Sequence, residues 1–341
     1  MLTHSDRADV LHHGGRLHLA AKRYDIPLAQ WLDLSTGINP NGWPVPPIPA
    51  IAWNRLPEDD DGLDDAARDY YGAPHILPVA GSQAAIQALP QIIRPGRATF
   101  VRPGYAEHPQ AWVRCGHSVT AVAATELDAA IDTSDTVVLV NPNNPNGAVF
   151  PRDRLLEWQE RLSKRDGWLV VDEAFVDSTP QISLASYARH GLVILRSLGK
   201  FFGLAGARVG FVCAEPALLQ RLGVLLGPWA LTTPSRQIAR LALADHAWQQ
   251  TCQAQLKSSG ARLAALLQRH DLSPQGGCGL FQWVPTTRAA HVHDRLAQRG
   301  ILTRYFDDPQ SLRIGLPRTE EDWTRLDTSL GAVVSAMKLC P

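Results

Sequence analysis

From Ile76 onward the chain alternates short apolar runs with amphipathic stretches. Runs at 76–80, 98–101, 119–122, 136–140, 168–171, 192–195 and 209–213 predict strands. Residues 136–140 are apolar enough to be buried on both faces, as an interior parallel strand requires. Amphipathic segments at 63–71, 82–93 (with Pro90 as a kink), 152–164 and 215–226 predict helices. A long helical region over 235–269 is expected to bend near 244–249. Strands spaced by helical crossovers predict an α/β fold, a mostly parallel sheet with helices on both faces. Beyond residue 275 the pattern changes. Strands near 280–284, 301–304 and 312–316, with helices over 289–299 and 319–337, predict a small α+β domain. The N-terminal part is irregular: a helix over 16–24, an extended segment over 32–40, then four prolines between 44 and 49 that exclude helix or central strand. That proline segment is expected to drape over another part of the molecule. The shifts divide the chain into a large domain, 45–245, and a small domain built from 1–44 and 246–341.

Composition narrows the function classes. Thirty-three basic residues balance thirty-three acidic ones among 341, so no charge excess points to nucleic acid or an anionic membrane. The acidic run Glu58-Asp59-Asp60-Asp61 is expected to be a solvated lead-in to a helix. Five cysteines (115, 213, 252, 278, 340) form no C-x-x-C pair, which argues against a disulfide framework or zinc site and fits a reducing cytosol. The start, Met1 to Arg7, has no signal-peptide core, and no run is long enough to span a membrane. A soluble cytoplasmic protein is expected. Neither a GxGxxG nor a Walker A sequence occurs. His12-His13 lacks the i, i+4 spacing of a metal pair, His291 and His293 are expected to be solvated, and the ten tryptophans are expected to serve packing.

The chemistry-bearing stretch is Arg196 to Arg208. An apolar strand delivers Ser197 and Lys200 to a turn, glycines 203 and 206 open the next loop, and Arg208 begins another strand. An amine so placed can form a Schiff base with an aldehyde cofactor while the hydroxyl and guanidinium hold a phosphate. A surface lysine in a glycine-rich loop fits this stretch alone equally well. Gly81-Ser82-Gln83 opens a helix and offers backbone N–H groups to a phosphate. The turn 141–147, Asn-Pro-Asn-Asn-Pro-Asn-Gly, ends a strand in a rigid, irregular form. Asp172 and Glu173 end another and need a cation or donor nearby.

Taken in order, Gly81-Ser82-Gln83, Tyr105, Asn144, Asp172, Ser197-x-x-Lys200, Arg208 and Arg313 resemble the fold-type I (class I/II) aminotransferase superfamily, which uses pyridoxal 5′-phosphate (PLP). The resemblance implies that Lys200 forms the Schiff base and moves the proton at the substrate carbon. Asp172 would pair with the ring nitrogen, Asn144 with the ring oxygen, and Tyr105 would stack on the ring. Gly81, Ser82, Gln83, Ser197 and Arg208 would seat the cofactor phosphate, and Arg313 would clamp the substrate carboxylate. Flanking features, namely His13-Gly14-Gly15, Gly37-Ile38-Asn39-Pro40, Pro103 to Glu107, Asp172 to Phe175 and the pair Arg304 and Arg313, are similar to the threonine-phosphate decarboxylases of cobalamin biosynthesis. Those enzymes convert L-threonine O-3-phosphate to (R)-1-aminopropan-2-ol O-2-phosphate and carbon dioxide. His13, Asn39 and Arg304 would then bind the substrate phosphate, Asn144 would face the substrate too, and a homodimer is implied. Three positions depart from the superfamily: Leu56 where many members carry a tyrosine reaching the partner's cofactor phosphate, Phe175 where most carry a tyrosine, and Asn146 in place of threonine. A histidinol-phosphate-type aminotransferase and a non-catalytic PLP-fold binding module stay open as alternatives.

Overall fold

A computed structural model describes residues 13–339. His12, the Met1–Arg7 segment and Cys340 lie outside the described residues. The strands, in chain order, are β1 (Leu32–Asp33), β2 (Ile76–Val79), β3 (Arg97–Arg102), β4 (Ser118–Ala123), β5 (Thr136–Val140), β6 (Trp168–Asp172), β7 (Leu192–Ser197), β8 (Gly210–Cys213), β9 (Gly276–Cys278), β10 (Phe281–Pro285), β11 (Ile301–Leu302), β12 (Arg304–Asp307) and β13 (Gln310–Gly315). Seven of them form one sheet in the order β2-β8-β7-β6-β5-β3-β4. Neighbours from β7 to β4 run parallel, whereas β8 is antiparallel to both β7 and β2. The reversal of β8 follows from its short link to β7, which carries Lys200 and has no crossover helix.

Alternate residues of the central strands feed two cores, as the period of two demands. Val137, Leu139, Leu169, Val171, Leu192 and Ile194 pack with Leu155, Trp158 and Leu162 of the helix Arg152–Ser163. Val138, Val170, Val193 and Leu195 pack on the other face with Ile86 and Leu89 of Ser82–Ile92, Trp112 of Glu107–Arg114 and Leu218 of Pro216–Leu226. The sheet is therefore covered on both sides, as expected. The small part holds a four-stranded antiparallel sheet, β12-β13-β10-β9, whose Leu312 and Ile314 pack in one core with residues of the helices His246–Arg269, Ala289–Ala297 and Glu320–Leu339. The N-terminal segment joins it through the parallel pair β1–β11.

Some expectations change. The region 235–269 is not one bent helix but two, Thr233–Ala244 and His246–Arg269. Asp245 separates them, and its carboxylate accepts from Trp248 N at 3.1 Å, capping the second. The run 301–304 divides between β11 and β12, which enter different sheets. The segment just before the prolines drapes. Asn39 N donates to Lys200 O (2.9 Å) and Trp43 N to Phe202 O (2.8 Å), so the lead-in covers the loop that carries Lys200. Gly203 in that loop has φ of 68° and leaves no room for a side chain against Gly42.

Candidate active site

Strand direction decides what meets. β2, β3, β5, β6 and β7 point the same way, so Gly81, Tyr105, Asn144, Asp172 and Lys200 follow their carboxyl ends along one edge, the usual ligand edge of open α/β sheets.

Lys200 retains some exposure as a residue, but its amine lies over the Phe175 ring, 5.5 Å from the centroid. Burial, reinforced by the nearby Arg313 charge and only partly opposed by Asp172, lowers its pKa to about 8. Asp172 is buried at the end of β6. Its Oδ1 accepts from Ala174 N (3.0 Å), and its Oδ2 lies 3.1 Å from His108 Nε2. The adjacent Glu173 points away. With Asp177 it surrounds buried Arg196: Arg196 Nη1 donates to Glu173 (2.6 Å) and Nη2 to Asp177. Burial still raises both carboxyl pKa values despite the guanidinium. One acidic residue of the pair thus serves the site edge and the other the core.

The Gly81-Ser82-Gln83 turn forms a cradle. Gly81 has φ of 72°, and a Cβ there would lie 2.6 Å from Arg208 Nη2, so the guanidinium rests where only glycine leaves room. Gly210 lets β8 approach the backbone N–H of Ser82 equally closely. The first-turn N–H groups of the helix Ser82–Ile92, Arg208 and the Ser82 and Ser197 hydroxyls form a donor set suited to a phosphate dianion. Ser197 Oγ itself accepts from Gly199 N at 3.2 Å, which shapes the turn into Lys200. Tyr105 donates to Gln83 Oε1 (3.3 Å), and burial and the Glu107 charge push its pKa up to about 12, so it stays a phenol.

Asn144 Oδ1 accepts from Arg313 Nη1 at 2.6 Å, leaving its amide N–H groups as donors. Asn146 Oδ1 ties the turn by accepting from Asn143 Nδ2 (2.8 Å) and Ala148 N (3.1 Å). Arg313 is buried, and Nη2 donates to Ser35 O (2.9 Å). Its Nε has no partner, and among the described residues Arg313 makes no ion pair. Arg304 is its cross-strand neighbour, β12 to β13. Like charges face to face oppose sheet pairing. Burial and Arg304 lower the Arg313 pKa to about 10, still charged at neutral pH. A buried cation facing a second cation calls for an anion.

Beside it lies a cavity of about 130 Å³ lined by His13, Arg16, Arg23, Ser35, His293 and Arg304, among others, with no carboxylate in its lining. His293 is half-buried, its Nδ1 2.9 Å from Thr303 Oγ1, and burial lowers its pKa. The expectation that it is solvated is corrected: the helix Ala289–Ala297 turns it onto Tyr305. Among the described residues no group of histidine, cysteine and acidic side chains could hold a metal. Asn39 sits apart from this cavity's lining. Its Nδ2 donates to Phe201 O (2.9 Å) and Cys252 Sγ (3.2 Å), and its Oδ1 accepts from Asn41 N (3.0 Å), so it anchors the loop after Lys200. Sequence reasoning gave no role to His108, Glu107, Arg16 or Arg23. Glu107 stood at the end of the Pro103–Glu107 feature, and His108 directly follows it.

The family model for aminotransferase class I and II matches residues 58–329. The chain is 54% identical to a threonine-phosphate decarboxylase of Pseudomonas aeruginosa, over 94% of this chain and 97% of that one. It is 41% identical to a threonine-phosphate decarboxylase of a Sinorhizobium species, over 89% of this chain and 92% of the relative. Among solved structures, histidinol-phosphate aminotransferase from Sinorhizobium meliloti in complex with pyridoxal-5′-phosphate superposes with a TM-score of 0.82 at 18% identity, covering 98% of both chains, a likeness of fold.

Proposed function

The chain belongs to the aminotransferase class I and II family, and we propose that within it the protein is a PLP-dependent carboxy-lyase that decarboxylates L-threonine O-3-phosphate. The products are (R)-1-aminopropan-2-ol O-2-phosphate and carbon dioxide, a step of cobalamin biosynthesis. The observation that carries this reading is the cationic cavity beside Arg313. It offers a seat for a phosphate next to a seat for a carboxylate, and the substrate bears both.

The cofactor fits the donor set. The Gly81–Gln83 cradle with Arg208 and Ser197 would hold its phosphate, Asp172 would support the ring nitrogen, Asn144 would donate to the ring oxygen, Tyr105 would flank the ring, and Lys200 would present its amine to the aldehyde end. When bound, PLP supplies an electron sink for the pair left on Cα as carbon dioxide departs. The chain's own residues do the rest. Arg313 and Arg304 with His13 fix the substrate at both ends, which sets which Cα bond is aligned for cleavage. His108 fixes the Asp172 carboxylate. Lys200, with its lowered pKa, delivers the proton to Cα. Phe175 contributes no hydroxyl towards the ring oxygen, so Asn144 is the donor there.

A homodimer in the cytoplasm, with a large domain over 45–245 and a small one from 1–44 and 246–341, completes the reading. The β1–β11 pairing supports that division. Exposed Ile51, Trp53, Leu56 and Trp229 support a partner surface, and no helix among the described residues is long and apolar enough to cross a membrane. The deciding experiment incubates the holoenzyme with threonine phosphate and measures carbon dioxide. Transfer of the amino group of histidinol phosphate to 2-oxoglutarate, with no carbon dioxide from threonine phosphate, would overturn the assignment. A protein that takes up no PLP would favour a binding module.

A further inference from the structure

One acidic side chain stands between the two anion seats. Glu107 is the first residue of the helix Glu107–Arg114, and its side chain is only 14% exposed. Its Oε1 lies 2.6 Å from His13 Nε2, and its Oε2 accepts from Gln83 Nε2 at 2.9 Å and Gln87 Nε2 at 3.3 Å. Gln83 in turn accepts from the Tyr105 hydroxyl, and the His13 and Tyr105 rings lie 6.0 Å apart. A carboxylate close to two phosphate seats repels both ligands unless its charge is spent on donors that face them. Here both oxygens are so engaged. With Nε2 held by Glu107, His13 keeps Nδ1 for the cavity it lines with Arg16 and Arg304.

We infer that Glu107 is a positioning residue that couples the two seats: through Gln83 it is tied to the cofactor-phosphate cradle, and through His13 it orients the ring that meets the substrate phosphate. Filling the cradle orders Gln83, Gln83 orders Glu107, and Glu107 orders His13. The helix N-terminus alone explains an acidic residue at this place, but not the bonds to Gln83 and His13.

The inference rests on the reading given under Proposed function, and its test separates the two. Holoenzyme of the wild type, Glu107→Gln, His13→Ala and the double variant is compared. KM and kcat are measured with threonine phosphate, the Kd for inorganic phosphate by calorimetry, and the thermal midpoint alongside. Glu107→Gln is expected to raise KM and the phosphate Kd about tenfold, the scale of one charge-assisted hydrogen bond, with kcat within about twofold. The double variant is expected to be no worse than His13→Ala by more than about twofold, because both act on one path. Additive losses overturn the coupling, as does a Glu107→Gln that lowers kcat and the midpoint while binding phosphate normally. If Glu107→Gln folds poorly, His13→Ala must show the same loss of phosphate affinity, and normal affinity there overturns the inference. A wild type whose phosphate affinity depends on Glu107 but which releases no carbon dioxide sinks the decarboxylase reading and leaves the coupling standing.

Discussion

At the scale of single residues the proposed chemistry turns on Lys200, an amine whose burial lowers its pKa. A free lysine amine is almost wholly protonated at neutral pH, but with a pKa of about 8 Lys200 has roughly a tenth of its amine neutral at pH 7. The neutral amine is the nucleophile. Aldehyde trapping by borohydride on the cofactor-free protein should therefore rise about tenfold per pH unit up to about pH 8 and then level off. An inflection near the ordinary lysine value would show that burial does not act on this amine. Lys200→Ala should abolish both trapping and the cofactor absorbance band. That Lys200, Asp172 and Asn144 meet at one sheet edge, with Arg313 against Asn144, was legible in the sequence because each follows or sits within an apolar run with spacing that a known family shares. His108, Glu107, Arg16 and Arg23 were not, because their roles come from strands and helices distant in the chain. The role of Glu173 was not legible either: adjacent in sequence to Asp172, it points in the opposite direction, to Arg196 rather than to the site edge.

At the scale of elements, two junctions matter. The turn between β2 and the helix Ser82–Ile92 depends on Gly81, whose φ of 72° with ψ of 157° is a conformation nearly reserved for glycine and costs an alanine about 1–3 kcal/mol. A Cβ would also drive Arg208 from its place. Gly81→Ala should weaken PLP binding at least about tenfold in a titration of the cofactor-free protein, with only a small loss of thermal stability. Unchanged affinity would remove Arg208 from the cofactor's phosphate seat. The second junction is the end of β6 with β7. Arg196→Leu leaves Glu173 and Asp177 buried without their cation, which costs about 3–5 kcal/mol in chemical denaturation. Loss below about 1 kcal/mol would mean that the two carboxyls are already neutral in the native protein. Element identity was largely legible from periodicity, and 63–71 and 136–140 hold to the residue. The helix Glu107–Arg114 was hidden by Pro109, which reads as a breaker but stands in the first turn, where no backbone donor is missed. The direction of β8 was hidden because apolar alternation carries no sign.

At the scale of the whole molecule, several large apolar side chains stand exposed on the surface. Trp53 is 71% exposed, Leu56 65% and Trp229 61%, with Ile51 beside them. Thr233 Oγ1 donates to Arg55 O at 3.0 Å, which brings the helix Ile51–Asn54 against the segment that carries Trp229. Large apolar side chains gathered like this on a surface mark an interaction site more often than chance. A second copy of the chain is the simplest occupant, and it would sit over Leu56. Sedimentation equilibrium should therefore give the mass of two chains. Truncating an interface tryptophan costs about 2 kcal/mol, so Trp53→Ala should raise the dimer dissociation constant about thirtyfold while leaving the fold of each chain intact. Dilution of that variant should then lower activity at protein concentrations where the wild type holds it. A wild type that sediments as one chain at full activity would instead make this apolar surface a seat for a different protein and place the whole site within a single chain.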